Sequence, residues 1–337
     1  MPVLHFAAGR YLYKLWMHGG EWQLLEKSVP HPFLALAVDP HRKERMYAGT
    51  FDNGLWMSDD EGETWRQAGS GIAHDRVISV SVSPTEEKSG YGVVWAGTEP
   101  SGLFRSEDGG QTWTDCPALL DLPSKDTWSF PPRPYTHHVQ WIQPDRHDEG
   151  RIFVGIELGG VMKSVDKGRH WEDRKPHSQF DCHTLTMHDQ APGRIYEAAG
   201  GGYAESKDGG KTWETQNEGL GAYTYLVSIA VDPADPDTIV ASAAKSARTA
   251  YNPEMAKTVI VRRQKNEPWQ MVRTGLPDPN GASVFSLGTH VSEPGVFYAV
   301  NNIGAYRSVD AGKTWKRLPV DWPDHLKNKR IRGLVVI

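Results

Sequence analysis

The chain has 337 residues with 37 Lys and Arg against 42 Asp and Glu, a formal charge of −5 that offers no basic excess for binding DNA or RNA. Its two cysteines, Cys116 and Cys182, lack CxxC spacing, which excludes a four-thiolate zinc site and a disulfide-dense scaffold and leaves two free thiols. No apolar run approaches membrane-spanning length and no leader-type segment opens the sequence, so a soluble, cytoplasmic protein is expected unless a leader has been removed.

In chain order, residues 3–9 read as a short strand, and an apolar run at 33–38 ends in the turn Asp39-Pro40. The same grammar returns at 226–231 before Asp232-Pro233. Pairs of short strands separated by glycines follow such runs, as in 194–198 and 202–206. Each pair leads into the motif Ser-x-Asp-x-Gly-x-Thr-Trp, which occurs five times. The copies are Ser58-Asp60-Gly62-Thr64-Trp65, Ser106-Asp108-Gly110-Thr112-Trp113, Ser164-Asp166-Gly168-His170-Trp171, Ser206-Asp208-Gly210-Thr212-Trp213 and Ser308-Asp310-Gly312-Thr314-Trp315. Only His170 departs from the pattern. The Ser and Asp oxygens suit a tight hairpin whose backbone N–H groups need acceptors, and the Gly suits positive φ. A further strand opens at the Trp.

Two degenerate copies keep only the Trp, at Trp22 and Trp269. The seven tryptophans are then spaced by 43, 48, 58, 42, 56 and 46 residues, and wrapping from Trp315 through the termini to Trp22 gives 44. A repeat of this length built from four short strands predicts an all-β, seven-bladed β-propeller of four-stranded antiparallel blades, one domain over 1–337. The opening strand lacks an inner neighbour and residues 330–337 form a lone strand, so the two termini are expected to complete one blade together.

The five motifs resemble the Asp-box, or bacterial neuraminidase repeat, found in sialidases, xyloglucan-active glycoside hydrolases, sortilin-type receptors and photosystem II assembly factors. The resemblance covers every blade and implies architecture more than activity, because those families include enzymes, receptors and assembly factors. Asp60, Asp108, Asp166, Asp208 and Asp310 recur once per blade around the rim, too dispersed to meet on one substrate, and are read as turn-forming. No Arg-Ile-Pro segment is present near the start, so the sialidase arginine triad has no counterpart positions in this sequence.

Strand alternation puts the motifs at one end of the ring and the long insertions, 114–136, 244–257 and 319–330, at the other. These insertions carry Trp128, Phe130, Tyr135, Tyr251, Trp322 and His325, and are expected to overhang one mouth of the central channel. Aligning second strands places Arg10, Phe51, Glu99, Glu157, Gly200, Ala244 and Asn302 at equivalent positions inside that mouth. Aligning the innermost strands equates His137-His138 with Cys182-His183, so that two adjacent blades present His137-His138 and Asp181-Cys182-His183 where other blades are mostly apolar. Buried histidines are usually satisfied core residues, yet two in neighbouring blades near acids outline a polar pocket. Asp52, Arg76, Tyr225 and Arg332 are the other candidate partners.

Three functions fit such a pocket. His138, His183, Glu157 and Glu99 are candidates for acid–base work on a small carbohydrate or polar carboxylate, in a glycoside hydrolase-like or lyase-like enzyme. Arg10, Asp52, Arg76, His137, Tyr225, Asn302, Arg332, Trp128, Tyr135 and Tyr251 are then candidate ligand-binding residues. Alternatively His138 and His183, with His137, His74 or Glu157 as candidate further ligands, hold a divalent metal that activates water or a substrate oxygen. In the third reading the mouth binds a protein partner and the molecule is a non-catalytic assembly scaffold.

Overall fold

A computed structural model describes residues 2–337. Seven small antiparallel sheets stand around an axis, as the Trp spacing predicts. Blade 1 is Leu4–Ala8, Tyr11–His18 and Glu21–Ser28, with Arg332–Val336 added at its inner edge. The C-terminal strand thus closes the ring by pairing antiparallel with the N-terminal one, Leu4 opposite Val336 and His5 opposite Val335. Blades 2, 3, 5, 6 and 7 have innermost strands Phe33–Asp39, Val77–Lys88, Cys182–Met187, Tyr225–Asp232 and Ser286–Gly288, each followed by three further strands. Blade 4, from Val139–Pro144 through Ile152–Ile156 to Gly160–Ser164, has only three full strands. Its outer position shrinks to the single bridge Lys163–Glu172. The next residue, Asp173, turns away to bind the Ser124 backbone N–H at 2.9 Å and its hydroxyl at 2.5 Å.

Each blade lies between two others, so its second strand is covered on both faces. Ile152–Ile156 and Ile195–Ala199 are accordingly buried at every residue, while the outermost strands, such as Glu214–Thr215, are exposed. The apolar core is divided into layers between consecutive blades. One layer joins Val93, Trp95 and Leu103 of blade 3 to Ile142, Val154 and Met162 of blade 4. Another joins Tyr298 and Val300 of blade 7 to Phe6 and Tyr13 of blade 1 across the closure. Burial of each such large side chain stabilises the fold by roughly 1.5–3 kcal/mol.

The five complete motifs form one hydrogen-bonded turn, repeated. Ser58 Oγ donates to Asp60 Oδ1 at 2.7 Å and accepts the Gly62 N–H at 2.8 Å, while Asp60 accepts the Thr64 N–H and hydroxyl at 2.8 and 2.6 Å. In three of the copies the ring closes the turn further, Trp65, Trp113 and Trp171 Nε1 donating to the carbonyls of Gly62, Gly110 and Gly168. In the variant copy the His170 ring nitrogen stands where the threonine hydroxyl would, 2.5 Å from Asp166 Oδ2. The aspartates therefore spend their oxygens on the turn.

Neighbouring blades are also stitched through these tryptophans. The Trp113, Trp269 and Trp315 backbone N–H groups donate to the carbonyls of Ser70, Glu218 and Thr274 of the preceding blade. The next residue is glycine each time, and a Cβ on Gly71, Gly219 or Gly275 would lie 2.6, 2.2 or 1.5 Å from the tryptophan carbonyl oxygen. All three have positive φ, so the close approach and the backbone conformation both call for glycine.

Candidate functional site at the channel mouth

Innermost strands begin at the mouth, and those of blades 2 to 6 carry a β-bulge near that end. The pairs just before the bulge are Phe33–Thr50, Val77–Thr98, Val139–Ile156, Cys182–Ala199 and Leu226–Ala243, each the first of its strand except in blade 6, where Tyr225–Ala244 precedes it. The residue at the bulge is therefore Leu34, Ile78, Gln140, His183 or Val227. His138 lies two residues earlier than the sequence alignment puts it: it precedes Val139, just as Arg76 precedes Val77, Asp181 precedes Cys182 and Tyr225 precedes Leu226. The expected equivalence of His138 with His183 is thus corrected to one between His138 and Asp181. Polar side chains consequently occupy two successive layers at the top of the channel.

Glu99 and Glu157, one residue past the second strands of blades 3 and 4, face His138 from opposite sides. Nε2 of His138 lies 2.9 Å from Glu157 Oε2 and 3.1 Å from the Gln140 side-chain oxygen, and Nδ1 lies 3.6 Å from Glu99 Oε2. Glu99 is inaccessible and doubly clamped. Arg133 grips both of its oxygens at 2.5 Å and Arg76 adds a contact at 3.0 Å. Burial alone would raise the Glu99 pKa, but the hydrogen bonds and charge of Arg133, with His138 and Arg76, hold it below the usual carboxylate value. Glu157 remains open to the channel, its side chain 19% exposed.

A second group adjoins the first. One ligand-type atom from each of Glu157, Asp181 and His183 lies within 4.8 Å of the others, joining blade 4 to the start of blade 5. Nδ1 of His183 lies 2.6 Å from the Leu226 carbonyl and Nε2 lies 3.6 Å from Asp181 Oδ1. Burial depresses the His183 pKa, and the hydrogen bond and charge of Asp181, then the charge of Glu157, reverse that and leave it above the usual value. The Tyr225 ring packs on His183 at 4.7 Å, and Tyr251 meets Tyr225 edge-on at 6.0 Å. Burial, then the charges of Tyr251, Asp181 and Glu157, raise the Tyr225 pKa, so it keeps its hydroxyl proton. Arg332, on the innermost strand of blade 1, makes no ion pair among the described residues. Its pKa is lowered to about 9 by burial and then Arg330, against Tyr251 and Glu157, which leaves it cationic at neutral pH.

The insertions build the walls. The first folds down through two short 3-10 turns, Pro117–Asp121 and Lys125–Thr127, lays Phe130 edge-on against His138 and delivers Arg133 to Glu99. The second forms a short helix, Ala247–Tyr251, capped by Ser246, which sets Tyr251 beneath the Arg330 guanidinium at 3.7 Å.

Other candidates fall elsewhere. Trp128 is a core residue, its Nε1 donating to Ser124 Oγ and its ring lying across His137, so this candidate ligand-binding aromatic is packing instead. Asn302 is buried and spends its amide on Ser283, Gly281 and Lys327. Arg10 is exposed and donates to the Pro30 carbonyl. The third insertion reaches the mouth only through its last residue, Arg330; its aromatics lie elsewhere, Trp322 packing on Phe6 and His325 contacting Tyr13 and Glu26 of blade 1. Asp52 pairs with Arg76 at the rim, and Tyr135 is 83% exposed. A cleft of about 270 Å³ between blades 6 and 7, lined by Thr258, Arg273, Asp278 and Phe285, includes none of the mouth residues.

Four contributors were not among the sequence candidates: Arg133, Gln140, Asp181 and Arg330. Arg133 is the only cation in the proline-rich stretch 130–136, and Asp181 adjoins the conspicuous Cys182-His183 pair, so both had a visible signal. Gln140 and Arg330 had none.

No family model matches the chain, and no curated protein matches it. Solved structures do match as folds. An ancestral GH74 enzyme superposes with a TM-score of 0.64 at 15% identity, over 85% of this chain and 39% of that one. The GH74 enzyme of Niastella koreensis gives 0.62 at 16%, over 92% and 51%. YCF48 bound to a D1 peptide gives 0.58 at 17%, over 90% and 92%. The chain thus spans about two fifths to a half of the length of those two GH74 chains. At these identities the likeness shows the propeller fold.

Proposed function

We propose that the mouth binds a small polar molecule, a carbohydrate or a polar carboxylate. The observation that carries this reading is the convergence of Glu157, Asp181 and His183 beside Tyr225 and the unpaired cation Arg332, contributed by blades 4, 5, 6 and 1. A cation without a counter-ion in a channel favours an anionic ligand group, and the tyrosines offer flat apolar walls of the kind sugar rings stack on. Glu157 is the accessible carboxylate in contact with His138, so in a hydrolase-like or lyase-like reaction it is the acid or base. Glu99, saturated by arginines, positions His138 instead. The motifs make the chain an Asp-box propeller in this reading, with their aspartates outside the chemistry.

The second reading, a protein-binding scaffold, is favoured by the exposed rim residues Tyr135 and Phe51 and by the peptide bound to YCF48. Calorimetric titration with neutral sugars, uronic and hydroxy acids, and extended peptides separates the two. We expect saturable binding of an acid that Arg332→Gln weakens at least tenfold. Binding of peptides alone, insensitive to Arg332→Gln, gives the site to the scaffold reading.

A further inference from the structure

His183 is 2% exposed, and its Nδ1 can only donate to the Leu226 carbonyl, because a carbonyl oxygen is an acceptor. In the neutral ring Nε2 then carries a lone pair. That lone pair points at Asp181 Oδ1, 3.6 Å away, which is also an acceptor. Neither atom has a hydrogen-bond partner among the described residues, although both are buried. Two acceptors facing each other in a low-dielectric site are unfavourable unless something positive lies between them.

Metal-binding histidines meet the same requirement. The ring nitrogen away from the metal donates to a backbone carbonyl or carboxylate, which fixes the tautomer and orients the lone pair. His183 has that arrangement toward Leu226, and its free nitrogen is joined by two carboxylates, Asp181 and Glu157, with side chains 22% and 19% exposed to the channel. His138 supports the group from outside by holding Glu157 Oε2 at 2.9 Å.

We propose that Glu157, Asp181 and His183 form a site for one divalent transition-metal ion of the zinc or manganese class. One imidazole with two carboxylates suits these borderline ions better than the all-oxygen shells of calcium or magnesium. Three protein donors leave coordination positions facing the channel, where a ligand oxygen can enter. His138 and His183 are thus not joint ligands; His138 acts on the metal through Glu157. The inference rests on the mouth being a ligand pocket, and it narrows the ligand to one that pairs a metal-binding oxygen with an anionic group for Arg332.

The test uses the whole chain, stripped with EDTA, dialysed into metal-free buffer and titrated calorimetrically with ZnCl₂ and MnCl₂. One ion per chain should bind, and Asp181→Asn and Glu157→Gln should each weaken it at least tenfold while retaining the wild-type circular dichroism spectrum. His170→Ala removes the exposed His170–Asp166 pair at the far end of the ring and should leave the affinity unchanged. Absence of one-site binding of either metal overturns the inference, as does binding that survives Asp181→Asn and disappears in His170→Ala. A sugar or hydroxy acid that binds the stripped protein while no metal binds leaves the pocket standing and removes the metal. Metal binding that depends on Asp181 with no acid binding does the reverse.

Discussion

The two ends of the ring solve opposite problems. Within the motifs the Ser, Asp and Thr side chains find their partners within four residues: Ser206 and Asp208 satisfy Gly210, Lys211 and Thr212. At the mouth the partners come from different blades, and buried polar atoms such as His138 Nδ1, Asp181 Oδ1 and His183 Nε2 remain without hydrogen bonds. A closed local network stabilises a hairpin and can be copied around the ring. An open network costs stability and is retained where something else completes it.

The sharpest way to break this contrast is at the glycine stitches of the motif end. Gly275→Ala places a Cβ 1.5 Å from the Trp315 carbonyl at a φ of +80°, and should lower unfolding stability by more than about 3 kcal/mol or prevent folding. Gly281, also at +80° but with nothing within 4 Å, should cost only about 1–2 kcal/mol on the same change, which denaturant melts will show.

Next in size is Glu197, a buried carboxyl belonging to neither network. Burial raises its pKa to about 8, against hydrogen bonds from the Gln179 backbone and Cys182. The unfolded chain loses this proton near the ordinary value of 4.5 and the folded chain keeps it to about 8. Wild-type stability should therefore fall as pH rises between those values, and Glu197→Gln should flatten the slope by on the order of 2 kcal/mol in melts from pH 5 to pH 8.

Smaller effects separate the two networks directly. Asp208→Ala should cost about 1–2 kcal/mol because removing its oxygens leaves four donors without this acceptor, and should not touch ligand binding. Burial would raise the Asp208 pKa, but its bonds to Thr212, Ser206 and Lys211 lower it to about 2. Its contribution is thus present above the unfolded value near 4 and lost as pH falls toward 2, so Asp208→Asn should flatten the acid limb of the stability curve. Arg332→Gln should not lower stability by melting at all, because the cation has no ion pair among the described residues to lose and its burial, which lowers its pKa, is a cost that the substitution removes.

The fold was legible because its determinants are local and repeated. A serine, an aspartate and a glycine at fixed offsets build the same turn wherever they occur, and the Trp register counted the blades even where Trp22 and Trp269 had lost the rest. The site was legible only in outline. Glu99 and Glu157 were found because both follow a second strand whose alternation is uninterrupted. His138 was mispaired with His183 because the likeness of His137-His138 to Cys182-His183 suggested the wrong register; the pairing, with a bulge after Val139 in one blade and after Cys182 in the next, sets His138 level with Asp181. Trp128 looked like a loop aromatic and is core, since 117–128 folds inward against blade 4.

From the amino-acid text alone came the blade count, the ring closure by both termini and the turn role of the repeated aspartates. All of these follow from short-range periodicity and hydrogen-bond chemistry. Tertiary structure decided which charges meet: that Arg133 reaches back to Glu99, that Asp181 rather than His138 joins His183, and that Arg332, on the innermost strand of blade 1, makes no ion pair among the described residues. Such meetings depend on bulges, loop paths and rotations between blades, and the free-energy differences that select them arise from contacts between residues far apart in the chain.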